Sequence, residues 1–490
     1  MQKFLIGSLV IAVLIIGIFI FDSQQKDIQQ EEPITLYCAA GMKAPVIEIA
    51  AAYENNYNIP IQIQYGGSGQ LLSNLRVSQS GDLYIAGDDS YVQKAKQDGL
   101  VAESIPLATM KPVIAFAKGN PKSIESYQDL LRQDVSVALG NPDAAAVGRI
   151  AKRLLQQGQI WDTIESRVKV FKPTVNEIAN DIKIGSVDVG IIWDTIANQY
   201  PAIDMLEMPA WSHAAQDVTI GVLAGSQQPT AALRFARYLG ARDKGLVAFQ
   251  KHGFTPVEGD VWAEVPEITF FSGGVNRMAI QDTIKEFEAR EGCEINVVYN
   301  GCGILVGQMK TGTIPDAYFS CDVSFMTEVA DMFMDSIHIS ETDMVIVVPK
   351  ENPHGIKTPT DLTQKGLKIG VANAEQSALG SLTKRLLTEM QLADAIYNNV
   401  VSQTPTADLL VNQLLTGSLD AVIVYEANTS QIREKTQILA IDHPQAKAIQ
   451  PFAIEKGTDH AYLLKRFLAT IQSKDSLNQF KEVGFRVYDN

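Results

Sequence analysis

The feature that most constrains this chain is that it repeats itself. Residues 34–69 (ITLYCAAGMKAPVIEIAAAYENNYNIPIQIQYGGSG) align without a gap on residues 268–303 (ITFFSGGVNRMAIQDTIKEFEAREGCEINVVYNGCG), an offset of 234. The same offset carries GDLYIAGDDSY (81–91) onto PDAYFSCDVSF (315–325). An offset of 232 then pairs GSVDVGIIWD (185–194) with GSLDAVIVYE (417–426), and the order of matched blocks never changes. A chain of this kind has to fold as two copies of one unit. The reading is a first module over 34–258, a polar, proline-bounded linker over 259–266 and a second module over 267–490.

Within each copy, short apolar runs alternate with stretches of helical spacing. ITLYCAA, IPIQIQY, LYIAG, PVIAFAKG, VSVALG and VGIIW read as buried strands, each followed by a helix. Strand–helix alternation predicts an α/β fold with parallel sheets covered on both faces. About 225 residues per copy suits two α/β lobes with a cleft between them. Ligands of such sheets sit beyond the carboxyl ends of the strands, where helix N-termini point.

Glycine and small residues cluster just past three of these strand ends: Ala40-Gly41, Gly66-Gly67-Ser68-Gly69, and the run GNPDAAAVG over 140–148. Each precedes a helix, so unpaired N–H groups and positive dipole ends converge there and can hold an anion without a cationic side chain. Taken singly, such glycines are ordinary makers of tight turns. The net charge of −15 excludes nucleic acid and anionic membrane surfaces as partners. No HExxH, Walker loop or nucleophile elbow is present, and the six histidines are scattered.

At the N-terminus, an apolar run over 4–21 follows Lys3 and nearly matches a bilayer core at about 27 Å of helix. It ends in Ile-Phe-Ile-Phe, a poor cleavage site, so residues 1–22 read as an uncleaved transmembrane anchor in preference to a signal peptide. Residues 23–33 read as a polar tether, with everything beyond it on the periplasmic side.

The pattern of strand, Ala-Ala-Gly, helix, Gly-Gly-Ser-Gly and then D-x-Y-I-x-x-D resembles the molybdate/tungstate-binding proteins of ABC importers, in the type 2 periplasmic binding-protein class. The resemblance implies two tandem modules of that class, each of two lobes, with no cofactor and no chemistry of their own. It also implies a small oxyanion ligand and an ABC transporter permease as partner. In that family two serines, two backbone amides and a tyrosine hold the oxyanion. Carried onto the first copy, these positions fall on Gly41, Ser68, Val147, Val175 and Trp193; only Ser68 is a match in kind. Asp194 follows directly and would repel an anion if it faced the cleft. In the second copy the positions are Val275, Cys302, Leu379, Ala407 and Tyr425, with Ser272 as a further hydroxyl. The second copy is therefore expected to depart from the first in what it binds.

Cys302 and Cys321 end neighbouring strands of the second copy. Three readings are open: a disulfide, two buried thiols, or a soft-metal or redox site with Met309 or Met326. The last would make the chain a sensor or scavenger. A cysteine-dependent enzyme is another alternative, since hydroxymethylbilane synthases use such a two-lobed fold, but only Arg149 and Arg277 lie near the presumed clefts. A third is an assembly protein with vestigial clefts. Cys38, aligned with Ser272, reads as a small buried residue.

Overall fold

The computed structural model describes residues 32–488. They form two compact units divided between Val257 and Glu258. Among the described residues no helix is long and apolar enough to cross a membrane. The apolar run over 4–21 lies outside them.

The first unit has two sheets. One is six-stranded, in the order Thr255–Pro256, Val101–Met110, Gln216–Leu223, Leu83–Ile85, Ile34–Ala39, Ile61–Gly66. The other is five-stranded, in the order Val170–Lys172, Val137–Gly140, Val189–Trp193, Pro112–Ala117, Ile203–Leu206. These are mixed sheets, which corrects the expectation of parallel ones. Ile34–Ala39 runs parallel to both its neighbours, but Gln216–Leu223 runs antiparallel to Leu83–Ile85 and to Val101–Met110. The cause is topological. The chain leaves the first lobe after Met110 and re-enters it at Gln216, and the strands of departure and return pair with each other in opposite directions.

Buried spacing explains the helices. Lys43–Tyr57 buries Val46, Ile49, Ala50 and Tyr53, a helical stripe against the sheet. It stops at Asn58, which adopts the left-handed conformation (φ 58°); the equivalent position in the second unit is Gly292 (φ 64°). Asparagine and glycine are the residues that tolerate this cap.

The second unit repeats the plan with one change. Where the first unit breaks between Val101–Met110 and Pro112–Ala117, the second has a single strand, Ile337–Pro349. It pairs with Lys447–Ile454 at one end and with Ala421–Tyr425 and Thr436–Ala440 at the other, joining both lobes in one ten-stranded sheet. Pro112 of the first unit has no N–H to donate at the crossing, and Met344 stands in its place. A clamp grips the continuous strand: Arg486 forms a bidentate pair with Asp343 (2.6 and 2.7 Å) and reaches Glu341 (2.8 Å). The residues expected to form a linker are tied to this unit. The Asp260 carboxylate accepts from the N–H groups of Tyr462 and Leu463 (2.8 and 2.9 Å), capping the helix Ala461–Ile471.

Candidate functional site

In the first unit a small cavity lies between the two lobes. Its lining comes almost entirely from the starts of helices. Ala40, Gly41 and Met42 open the segment leading into Lys43–Tyr57; Gly67 and Ser68 open Ser68–Ser78. From the other lobe, Ala146 and Val147 open Ala146–Gln157, and Thr174 and Val175 open Val175–Lys183. Trp193 closes one wall. All five positions singled out for the first copy, Gly41, Ser68, Val147, Val175 and Trp193, therefore border one space.

No lining residue is charged. The first N–H groups of a helix have no partner within it, and the helix dipole is positive there. Four such ends around one cavity make a surface of donors with no counter-charge of their own. Ser68 is buried, and its Oγ accepts from Gly87 N–H at 3.0 Å, which leaves the hydroxyl proton to be donated elsewhere. Asp194 does not face the cavity. Its Oδ1 accepts from the N–H groups of Lys111 (2.9 Å) and Thr195 (2.8 Å), so it pins the crossing between the lobes. Burial raises the Asp194 carboxyl above its usual range, and those two N–H groups oppose the rise.

The Gly-Gly-Ser-Gly motif also serves contact between the lobes. A Cβ on Gly67 would run into the carbonyl oxygens of Ala144 and Pro173, and one on Gly69 into that of Asp143. Gly69 N–H donates across the gap to Ala144 O at 2.9 Å. Arg149 adds a latch: its Nη2 reaches the buried Asp88 carboxylate and Ser90 Oγ of the opposite lobe, and its guanidinium lies 4.5 Å from the Tyr91 ring centre. Arg149→Met is expected to weaken ligand binding about five-fold, the equivalent of about 1 kcal/mol for a half-exposed pair with a ring contact. Titration calorimetry at low and high salt checks this, because the deficit should shrink as salt screens the pair in the wild-type chain.

The second unit has a corresponding small cavity. Val275, Leu379, Ala407 and Tyr425 line it as the alignment predicts. Ser272 and Cys302 do not, which corrects two positions. Ser272 is buried and donates to Gly273 O at 3.3 Å, as Cys38 donates its thiol to Ala39 O in the first unit. Burial pushes the Cys38 thiol far up, so it stays protonated. Cys302 is joined to Cys321 in a disulfide, with Cα atoms 6.4 Å apart. Of the three readings of these cysteines the structure shows the first, and neither sulfur is a thiolate ligand or nucleophile in this state. Among the described residues no cluster of three or more His, Cys, Asp or Glu side chains could hold a metal.

The disulfide stands where the first unit has a hydrogen bond. Ser68 aligns with Cys302 and Gly87 with Cys321, and Cys321 N–H lies 3.0 Å from Cys302 Sγ just as Gly87 N–H lies 3.0 Å from Ser68 Oγ. The room comes from a third change. Ala39 of the first unit is Gly273 here, and a Cβ on Gly273 would collide with the sulfur of Cys321. Cys321 lines the cavity, so a hydroxyl donor has been exchanged for an apolar bridge. Asp408, aligned with Asn176, adds a carboxylate to the wall, and Asn428 Nδ2 donates to it at 3.3 Å. Burial lifts the Asp408 carboxyl, while Arg277 and Asn428 hold it down. The Tyr425 phenol is buried and, among the described residues, without a hydrogen-bond partner; burial, with a smaller contribution from Asp322, keeps it protonated.

Comparison with known proteins agrees with the duplicated architecture. The family model described as bacterial extracellular solute-binding protein matches the chain twice, over residues 34–255 and 268–486. A binding protein of Haemophilus influenzae is 27% identical over 230 residues, 47% of this chain and 93% of its own length. The molybdate-binding protein ModA of Mycobacterium tuberculosis is 26% identical over 44% of this chain and 84% of its own. Among solved structures, the periplasmic molybdate-binding protein of Azotobacter vinelandii aligns with a TM-score of 0.41 and 13% identity, over 45% of this chain and 98% of its own. With the family model covering both copies, the chain belongs to the bacterial extracellular solute-binding proteins, as a tandem of two modules of that family.

Proposed function

We propose that the first module captures a small, fully ionised tetrahedral oxyanion of the molybdate or tungstate type and presents it to the permease of an ABC importer. The observation that carries this reading is the ring of four helix N-termini and the Ser68 hydroxyl around a cavity without a charged side chain. Such a ring offers donors and no acceptor carboxylate, which suits an anion that has shed its water and carries no proton. The curated relative ModA, named as molybdate-binding, supports the same ligand class. Two lobes that meet through Gly67 and Gly69 are suited to closing over such a ligand, and the module has no chemistry of its own to perform. The apolar run over 4–21 would hold the chain at the cytoplasmic membrane with its modules outside.

The test is thermal unfolding of the full-length chain with molybdate, tungstate and sulfate. A ligand present at about 1,000 times its dissociation constant stabilises the module it occupies by about 4 kcal/mol. Ser68→Ala should weaken the best ligand about 10- to 100-fold, the worth of one hydrogen bond to a charged group. If none of the three anions moves the unfolding of the wild-type chain, the ligand class is wrong.

A further inference from the structure

We infer that the second module is also a binding site, for a small oxyanion that carries its own proton, of the hydrogenphosphate or hydrogenarsenate type. The inference does not rest on the ligand proposed for the first module.

Three helices of nine or more residues begin at this cavity: Cys302–Lys310, Ala378–Glu389 and Ala407–Leu415. That retains the anion-attracting frame. Helix ends alone would say little, but one buried side chain points to a ligand and a carboxylate beside it would govern which one. Tyr425 lines the cavity, and its hydroxyl is buried at that wall with no partner among the described residues. Leaving such a group unpaired is unfavourable, and a bound ligand that accepts its proton would remove the cost. Asp408 lines the same wall at the exposed rim; its Oδ1 takes the Asn428 amide, which leaves Oδ2 open to solvent or to a ligand.

A carboxylate in an anion site is a selector. A fully ionised oxyanion has only lone pairs to set against Asp408, so the contact is repulsive. An oxyanion that keeps one proton donates it to Asp408 Oδ2 in a charge-assisted bond, while its other oxygens face the helix ends and the Tyr425 phenol. The positive charge of Arg277, which lies over the Tyr299 ring, offsets part of the negative charge of Asp408. The first module has Asn176 at the aligned position and no carboxylate on its cavity wall. The two modules are thereby built to divide oxyanions by protonation state.

The experiment is calorimetric titration of the full-length chain near pH 7.5 with three ions of equal charge. Inorganic phosphate is then largely a dianion with one hydroxyl; methyl phosphate and sulfate are dianions without one. Phosphate should bind at least tenfold tighter than either of the others at a site that Ser68→Ala changes less than two-fold. Tyr425→Phe, which removes a single oxygen from the cavity wall, should weaken phosphate at least tenfold. Asp408→Asn should abolish the discrimination, bringing sulfate within about threefold of phosphate. The inference is overturned if phosphate fails to bind, if sulfate or methyl phosphate matches it in the wild-type chain, or if phosphate binding ignores Tyr425→Phe and follows Ser68→Ala instead. That last pattern would place phosphate in the first module.

Discussion

Gly67→Ala is expected to leave the first module folded but unable to shut. The added methyl has nowhere to go except into the carbonyl oxygens of Ala144 and Pro173, which are backbone atoms of the opposite lobe. Backbone cannot rotate out of the way as a side chain can, so the lobes must stand apart. The helix ends at Ala146 and Val175 would then withdraw from those at Gly41 and Ser68, and the anion would lose half its donors. A loss of two or three charged hydrogen bonds, at about 1.5–3 kcal/mol each, corresponds to well over a hundredfold in affinity. Ligand titration measures the loss, and circular dichroism should show the ligand-free fold unchanged. Affinity within threefold of wild type would mean that the lobes need not meet here to hold a ligand.

Reduction of the Cys302–Cys321 bridge should lower the stability of the second module by about 3 kcal/mol, the chain-entropy expectation for so short a closed loop. For a module of this size that is a fall in melting temperature of about 6–12 °C. Calorimetry with and without dithiothreitol reads it directly. The first module's transition should stay where it is, since its Ser68–Gly87 contact contains no sulfur and Cys38 is a buried thiol. The double substitution Cys302→Ser and Cys321→Gly, which installs the first module's pair, should make the second transition indifferent to reductant. A reductant effect confined to the first transition would contradict this assignment.

Much of the first site could be read from the chain. Gly41 and Val147 lie in clusters that precede helices, and Val175 follows from the family resemblance; each stands at a helix start after a strand, and the fold brings such starts to one place whatever side chain they carry. Side-chain direction was not legible in the same way. Asp194 sits next to Trp193, yet it turns to the Lys111 N–H, because a buried carboxylate goes where donors satisfy it. Ser272 looked like a hydroxyl for the second cavity, but its strand position aims it at Gly273 O. The parallel sheets were misjudged because periodicity marks strands without giving their direction, and the return of the chain at Gln216 is a long-range event. The Asn176-to-Asp408 exchange was visible by alignment, and its place on a cavity wall was not.

The bridge in the second module also constrains the history of the repeat. A side chain larger than hydrogen at position 273 collides with the sulfur of Cys321 as the bridge holds it. If both copies descend from a form like the first, with alanine, serine and glycine at the three aligned places, two cysteines alone would not have closed the bridge. Loss of the methyl at 273 had to precede or accompany the closing of the bridge. The same dependence runs in reverse: a lineage that has closed the bridge cannot regain the alanine without first giving up Cys321. The divergence of the two modules is in this respect a ratchet, and returning the second to the chemistry of the first takes three coordinated changes.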